Sequence, residues 1–271
     1  MSPWYVLLET TPGRGSWNMA VDEYLFRRAQ KGEFTFLRIY TWNRPTASLG
    51  AGQEITRALK LEECEKRGVE IVRRMTGGKM VLHHLEITYS VASSDAGTFS
   101  STLEGSYRLI SEALLKGLEL MGIKAGLAAS TSSAYARSHL PCFAYPARNE
   151  VEVNGKKIIG SAQKRTGHSF IQHGSIPLVK ELELLAAISP DLDASRQERI
   201  TSLSDELGRP VAYEEGARFI VEGFKKYFNF QAEELHLTPE ELFVIEQIEN
   251  RKYANRQWTF DRVEPELGLI F

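Results

Sequence analysis

What the 271-residue chain has little of narrows its class first. Cysteine occurs only twice, at Cys64 and Cys142. Two thiols are too few for a disulfide framework or for a zinc cluster built from cysteine alone. No run approaches the roughly 18 apolar residues of a membrane span. The N-terminal MSPWYVLLETTPG has no basic segment leading into an apolar one, as a secretory signal would. Neither sign of charge dominates: 33 Lys and Arg face 35 Asp and Glu, a net charge of −2, which removes any bulk attraction to nucleic acid or anionic lipid. Internal repeats, low-complexity tracts and clear linkers are missing too. The expectation is a reduced, cytoplasmic, water-soluble protein, a single catalytic domain over 1–271. At 42% hydrophobic and 25% charged residues, it has ample material for a core.

Several signatures of chemistry are also absent. Six histidines occur, but none in HxxxH or HExxH spacing. His83, His84 and Glu86 are close in sequence, yet neighbours on a strand point to opposite faces, so no metal site is expected. The Gly-Gly of RRMTGGK fits neither a Walker loop nor a Rossmann fingerprint. Lys156, Lys157, Lys164 and Arg165 are clustered without interleaved aromatics, which reads as a solvated hairpin rather than a nucleic-acid surface.

What is present alternates between helix and strand. SWNMAVDEYLFRRAQK (16–31) spaces Met19, Val21, Leu25, Phe26 and Ala29 as one helical face, with Asp22, Arg28 and Lys31 on the far one. TFLRIY (35–40) and EIVRR (70–74) read as strands, 42–53 as an ordered loop, and 59–68 as a short helix closed by Gly68. Residues 81–83 and 87–91 are extended beyond the Gly77-Gly78 loop. A long amphipathic helix covers 100–122 and is closed by Gly122. The small, polar stretch 125–141 reads as a loop. NEVEV (149–153), the Asn154-Gly155 turn and KKIIGSAQK make a hairpin, and 169–178 is a further strand. From about 180 the pattern turns helical. Thr238 as N-cap, Pro239 at N1 and Glu241 at N3 open a capped helix over 237–253. Interleaving without a βαβ rhythm predicts an α+β fold.

Two places are candidates for chemistry. A cysteine reacts as thiolate and needs a nearby cation or helix N-terminus to form it at neutral pH. Lys157 lies across the hairpin turn from the segment after Cys142, which makes it the candidate cation. A small buried hydrophobe before Phe143 is the competing reading of Cys142, and Cys64, within a charged helix, reads as structural or merely exposed. The paired glycines Gly77 and Gly78 either present backbone N–H groups to a polarised oxygen or simply make a turn. His173 reads as a strand residue, packed and hydrogen-bonded.

Taken in order, W-N-M-A-V-D-E (17–23), L-R-I-Y-T-W-N-R-P-T-A-S-L-G (37–50), R-R-M-T-G-G-K-M-V-L-H (73–83), T-Y-S (88–90), C-F-A-Y-P-A-R-N-E (142–150), G-K-K-I-I-G-S-A-Q (155–163), Q-H-G-S-I-P-L (172–178) and R-K-Y-A-N-R-Q-W (251–258) resemble the lipoate/biotin protein ligase superfamily. Within it, they resemble the cysteine-dependent octanoyltransferases of the lipoate ligase type. The resemblance implies the biotin/lipoate ligase (class II synthetase-like) catalytic fold, a central mixed β-sheet flanked by helices. It places the catalytic core at about 31–236 and a helical extension at 237–271.

The implied activity moves an octanoyl chain from octanoyl-acyl carrier protein, through a cysteine thioester, to a lysine of a lipoyl carrier domain. That domain would be a glycine-cleavage H protein or a dehydrogenase E2. Cys142 is the implied nucleophile and Lys157 the implied lysine. Arg73, Arg74, Thr76, Gly77, Gly78, His83, Gly160, Ser161 and Ala162 are the implied acyl-site residues. No cofactor, metal, nucleic acid or membrane is implied; ATP and magnesium enter only under the alternative of an ATP-dependent lipoate–protein ligase. Cys142, and a chain ending soon after Trp258 without an accessory domain, count against that alternative, and retention of Cys142 and Lys157 counts against a non-catalytic carrier-binding protein. Two positions depart from the pattern. His84 stands where an acidic residue is usual, and Met80 replaces a small residue and is expected to reshape the acyl groove.

Overall fold

A computed structural model describes residues 2–32, 34–129, 149–190 and 198–267. The chain opens with β1 (Trp4–Leu8) and α1 (Gly15–Ala29), followed by β2 (Thr35–Tyr40), β3 (Thr46–Leu49), α2 (Ile55–Ala58), α3 (Leu61–Lys66) and β4 (Glu70–Arg73). Beyond the Gly77-Gly78 loop come β5 (Val81–His83), β6 (Glu86–Ser93), α4 (Leu103–Leu120), β7 (Gly126–Leu127), β8 (Val151–Val153), β9 (Lys156–Thr166) and β10 (Ser169–Pro177). The rest is helical apart from β11 (Ala232–Glu234): α5 (Leu182–Ile188), α6 (Leu203–Leu207), α7 (Tyr213–Phe228) and α8 (Pro239–Ile248), which runs on into π-helical turns at Glu249–Tyr253 and Gln257–Asp261.

The expected mixed sheet is present. Eight strands lie in the order β11-β1-β2-β6-β10-β9-β8-β7, with β1 parallel to β2 and β11, and antiparallel pairing from β2 through β7. A second sheet, β4-β3-β5, stands beside it. Alternation along the central strands divides the core. Leu37, Ile39, Tyr89 and Val91 pack under α4 and α7, through Ile110, Leu114, Ile220 and Phe224. Phe36, Tyr40, Ala92 and Ile171 face α1 and, beyond it, Ile245, Ile248, Tyr253 and Trp258 of the C-terminal segment. Among the described residues, no helix is long and apolar enough to cross a membrane.

Several local expectations change. The stretch 42–53 holds β3, whose four residues Thr46–Leu49 are all buried; T-A-S-L has no alternation to announce a strand. The helix expected at 59–68 is shorter, and α2 precedes it. Asp22, placed on the exposed face of α1, is 1% exposed, because four side chains satisfy it from the sheet. The hairpin strand begins at Val151 rather than 149, since Asn149 sits at φ +66°. Most of the stretch 125–141, and Cys142 with it, lies outside the described residues.

Helices α4 and α7 approach at Gly117 and Gly223. A Cβ on Gly223 would lie 2.8 Å from the Ala113 carbonyl oxygen and against the backbone of Gly117, neither of which can step aside. Gly223→Ala is therefore expected to lower the free energy of urea unfolding by about 1–3 kcal/mol through overpacking. An unchanged midpoint would mean the helices part without cost.

Candidate active site

Between α1 and the two sheets lies a buried polar circuit centred on Arg74. Its guanidinium donates to two hydroxyls, from Nε to Thr76 Oγ1 (3.1 Å) and from Nη1 to Ser48 Oγ (3.1 Å), and to the carbonyls of Ser48, Gly77 and Lys79 at 2.8 Å each. Each hydroxyl then meets an imidazole: Thr76 Oγ1 is 2.7 Å from His173 Nε2 and Ser48 Oγ is 2.7 Å from His83 Nε2. Each imidazole reaches a carboxylate through its other nitrogen. His173 Nδ1 lies 2.9 Å from Asp22 and His83 Nδ1 lies 2.7 Å from Glu86.

Asp22 further accepts from Arg38 (2.9 Å), Tyr40 (3.0 Å) and Ser90 (2.9 Å), and Glu86 from Thr88 and Ser175. Because Arg74 can only donate, both hydroxyls accept from it, and Thr76 donates onward to the unprotonated Nε2 of a neutral His173. Arg38 and Arg74 balance Asp22 and Glu86, which makes burial of all four charges tolerable.

Electrostatics follow the same lines. Burial opposes the charge on Asp22, but the hydrogen bond from His173 and the Arg38 charge bring its pKa below the ordinary value. Burial also lowers the pKa of His173, and Asp22 only partly offsets this. His173 is thus neutral near pH 7, with Nδ1–H directed at Asp22. Tyr40 is raised well above the usual phenol range by burial and by Asp22.

The circuit forms much of the wall of a narrow cleft lined by Met19, Ser48, Arg74, Val81, His83, Gly160, Ser161, Ala162 and His173, among others. At Ser161 and Ala162 the cleft meets a wider groove bordered by Gly77, Gly78, Glu104, Tyr107, Asn149 and Glu150. Gly174 keeps β10 close to β9, since a Cβ there would fall 2.6 Å from Ser161 Oγ and from the Tyr89 ring.

Of the site residues expected from sequence, Arg74, His83, Gly160, Ser161 and Ala162 line the cleft, Thr76 is buried against Arg74 and His173, and Gly77 and Gly78 edge the groove. Arg73 points away. Strand alternation sends it to the carbonyls of Gly50 (2.7 Å), Gln53 (2.8 Å), Trp258 (3.1 Å) and Thr259 (3.0 Å), and Trp258 Nε1 returns a bond to its own carbonyl at 2.8 Å. Lys157 is no solvated charge. It is 1% exposed and pairs with Glu150 at 2.7 Å, whereas Lys156 beside it is exposed.

Cys142 lies outside the described residues. Cys64 is buried, with its thiol pushed up to about 11 by desolvation, as suits a packing residue. Met80 lines a separate cavity behind β5, with Leu82, Leu85 and Leu182, rather than the cleft beside Arg74. His84 bonds Glu181 at 2.7 Å. Sequence reasoning missed Asp22, Ser48, Glu86 and Glu150; the D of WNMAVDE, a charge inside a helix otherwise rich in small and apolar residues, was the available signal for Asp22.

A family model, the lipoyl protein ligase A/B catalytic domain, matches residues 14–225. Octanoyltransferase LipM of Kyrpidia tusciae is 38% identical, with 94% of this chain and 97% of that protein covered. Octanoyltransferase LipM of Carboxydothermus hydrogenoformans is 37% identical over 91% and 94%. Among solved structures, a lipoate-protein ligase A bound with ATP superimposes with a TM-score of 0.81 at 23% identity, covering 97% of this chain and all of that one. A bi-partite lipoate protein ligase from Thermoplasma acidophilum, studied with its E2 lipoyl domain, gives 0.81 at 22% identity, covering 99% and 100%. At these identities the structures establish a shared fold.

The depressed His173 pKa gives a pH dependence of stability. Below an ordinary histidine pKa of about 6.5 the unfolded chain takes up a proton that folded His173 refuses, so stability present above that pH is lost as pH falls through it. Asp22 acts in the same sense at lower pH, its contribution present above the ordinary carboxylate pKa and lost as pH falls through the depressed one. Chemical denaturation is expected to show wild-type stability falling from pH 7 to pH 5. His173→Gln should be less stable at pH 7 but flatter over that interval. Parallel slopes for the two proteins would refute the assignment.

Proposed function

This chain belongs to the lipoyl protein ligase A/B catalytic-domain family, and from that premise we propose that it is an octanoyltransferase of lipoate biosynthesis. Its donor is octanoyl-acyl carrier protein and its acceptor a lysine of a lipoyl carrier domain, such as a glycine-cleavage H protein or a dehydrogenase E2. The geometric observation carrying the reading is the cleft wall. Its polar side chains, Ser48, Thr88, His83, His173 and Ser175, bond to one another, to Arg74 and to buried carboxylates. A wall with its hydrogen bonds already made presents an alkyl chain with little it must desolvate. The curated relatives, octanoyltransferases along nearly their whole length, support the choice of acyl group.

In this reading the Cys142 thiolate attacks the carrier thioester. A new C–S bond forms, the old one breaks, and the carrier leaves as its thiol. The amine of the acceptor lysine then attacks the acyl-cysteine; the C–N bond forms, the C–S bond breaks, and the amine's proton passes to the thiolate or solvent. Lys157 donates an N–H to the oxyanion that develops in each step. Gly160, Ser161 and Ala162 border the reacting carbonyl, and Gly77-Gly78 edges the route by which the acceptor enters. Thioester energy drives amide formation without ATP, whereas the rival lipoate–protein ligase needs ATP to make an adenylate.

Incubated with octanoyl-acyl carrier protein, the protein is expected to gain one octanoyl mass, labile to hydroxylamine, by intact mass spectrometry. Cys142→Ala should abolish both the adduct and transfer, and Cys64→Ala should abolish neither. Full transfer by Cys142→Ala would remove the thioester route.

Transfer to an H protein is also expected to proceed without ATP or magnesium. A strict requirement for ATP and free lipoate, with pyrophosphate released, would establish the ligase instead.

A further inference from the structure

We propose that Glu150 is a positioning residue for acyl transfer, holding the Lys157 ammonium in its direction and in its charged form. This rests on the transferase reading above and extends it to a residue outside the motif lysine and cysteine. Glu150 Oε1 lies 2.7 Å from Lys157 Nζ, and the two side chains are 2% and 0% exposed. The partner is a selected one. By register Glu152 is directly opposite Lys157, yet the lysine reaches Glu150, two residues along on the same face.

Backbone features support that placement. Asn149 adopts a left-handed φ of +66°, and the β8–β9 register shifts between Val151 and Glu152. Ala128 bonds Asn149 and Glu150 from β7's side, its carbonyl accepting from Asn149 N at 3.0 Å and its N–H donating to Glu150 O at 2.8 Å. A buried ion pair does little for stability against an apolar pair of similar volume, so a bulge and a left-handed asparagine that assemble one point to a use.

Chemistry follows from the pairing. A lone buried ammonium would act as a diffuse cation, drawing in free carboxylates and losing its proton readily in low dielectric. Paired with Glu150, its charge is offset by the carboxylate while it still presents a directed N–H at short range. Such a site suits a neutral acyl thioester and an amine acceptor better than a free fatty acid. Among the described residues, other charged and titratable groups stand near the pair. Tyr89 of β6 feels the Glu150 charge and shares a hydrogen bond with Ser161 at 2.7 Å, Glu104 and Tyr107 of α4 border the same groove, and the segment of Arg199 bonds the Lys157 backbone at 2.8 Å.

The test uses Glu150→Gln, which keeps volume and an acceptor oxygen but removes the charge, with Glu150→Asp as conservative rescue and Glu152→Gln as control. Octanoyl transfer to a lipoyl domain is followed against pH, and the Lys157 Nζ resonance is followed by NMR on 15N-lysine-labelled protein, assigned by its loss in Lys157→Arg. In Glu150→Gln the alkaline limb of kcat is expected to move down by about one pH unit or more, with transfer near neutrality reduced about tenfold. The Nζ resonance should broaden away where wild type retains it. Glu150→Asp should recover part of both effects, and Glu152→Gln should superimpose on wild type. A wild-type pH profile and an unchanged Nζ resonance in Glu150→Gln would overturn the proposal. Absence of transfer by the wild-type protein would overturn the transferase reading alone, leaving the Nζ resonance to decide the pairing.

Discussion

Arg74 can only donate hydrogen bonds, and the groups that must accept from it tie together the polar layer of this fold. Its guanidinium makes acceptors of the Thr76 and Ser48 hydroxyls, each of which meets an imidazole. Neutral His173 receives on Nε2 and donates from Nδ1 to Asp22, and His83 bridges Ser48 and Glu86. The circuit runs from α1 through β10 and the Gly-Gly loop into β3, β5 and β6, so it joins the helix and both sheets through one set of contacts. Removing a member would leave several buried partners unsatisfied, at about 1–3 kcal/mol each.

This arrangement reconciles two demands on the cleft. A site for an alkyl chain should be apolar, yet a junction between two sheets and a helix exposes strand faces rich in Ser, Thr and His. In the proposed reading, closing their hydrogen bonds on one another lets those residues serve as an apolar wall, while Arg74 holds the backbone of the Gly77-Gly78 loop. In the proposed reading chemistry is kept apart from binding, since Glu150, the partner of Lys157, borders the groove rather than the cleft. The C-terminal segment contributes at a distance, since Trp258 and Thr259 cage Arg73 and steady β4 immediately before Arg74.

Local features of the fold were legible because their causes are local. The alternation of TFLRIY located β2 to the residue, Asn154-Gly155 made its hairpin with both residues at positive φ, and Thr238 with Glu241 formed the anticipated capping box. Features that depend on contacts distant in sequence were not. Asp22 reads as a surface charge until Arg38, Tyr40, Ser90 and His173 are brought to it. β3 is hidden because its burial between β4 and β5 replaces alternation as the reason to extend. Within Arg73-Arg74 the sequence treats the two arginines alike, and only the strand pleat sends one to the C-terminal carbonyls and the other to the cleft. Glu150 carried no signal of its own, since a register shift selects it over Glu152.

The central claim is that a cleft walled by internally bonded polar side chains accepts the acyl chain with its carbonyl at the groove. A crystal structure with a non-hydrolysable octanoyl thioether of pantetheine tests it most directly. The account predicts an alkyl chain in van der Waals contact, about 4 Å, with Met19 and Val81, the Arg74 circuit intact, and the carbonyl between Ser161 and Lys157. A chain seated instead in the cavity behind β5, against Leu82, Leu85 and Leu182, or circuit hydrogen bonds broken to solvate the ligand, would contradict it.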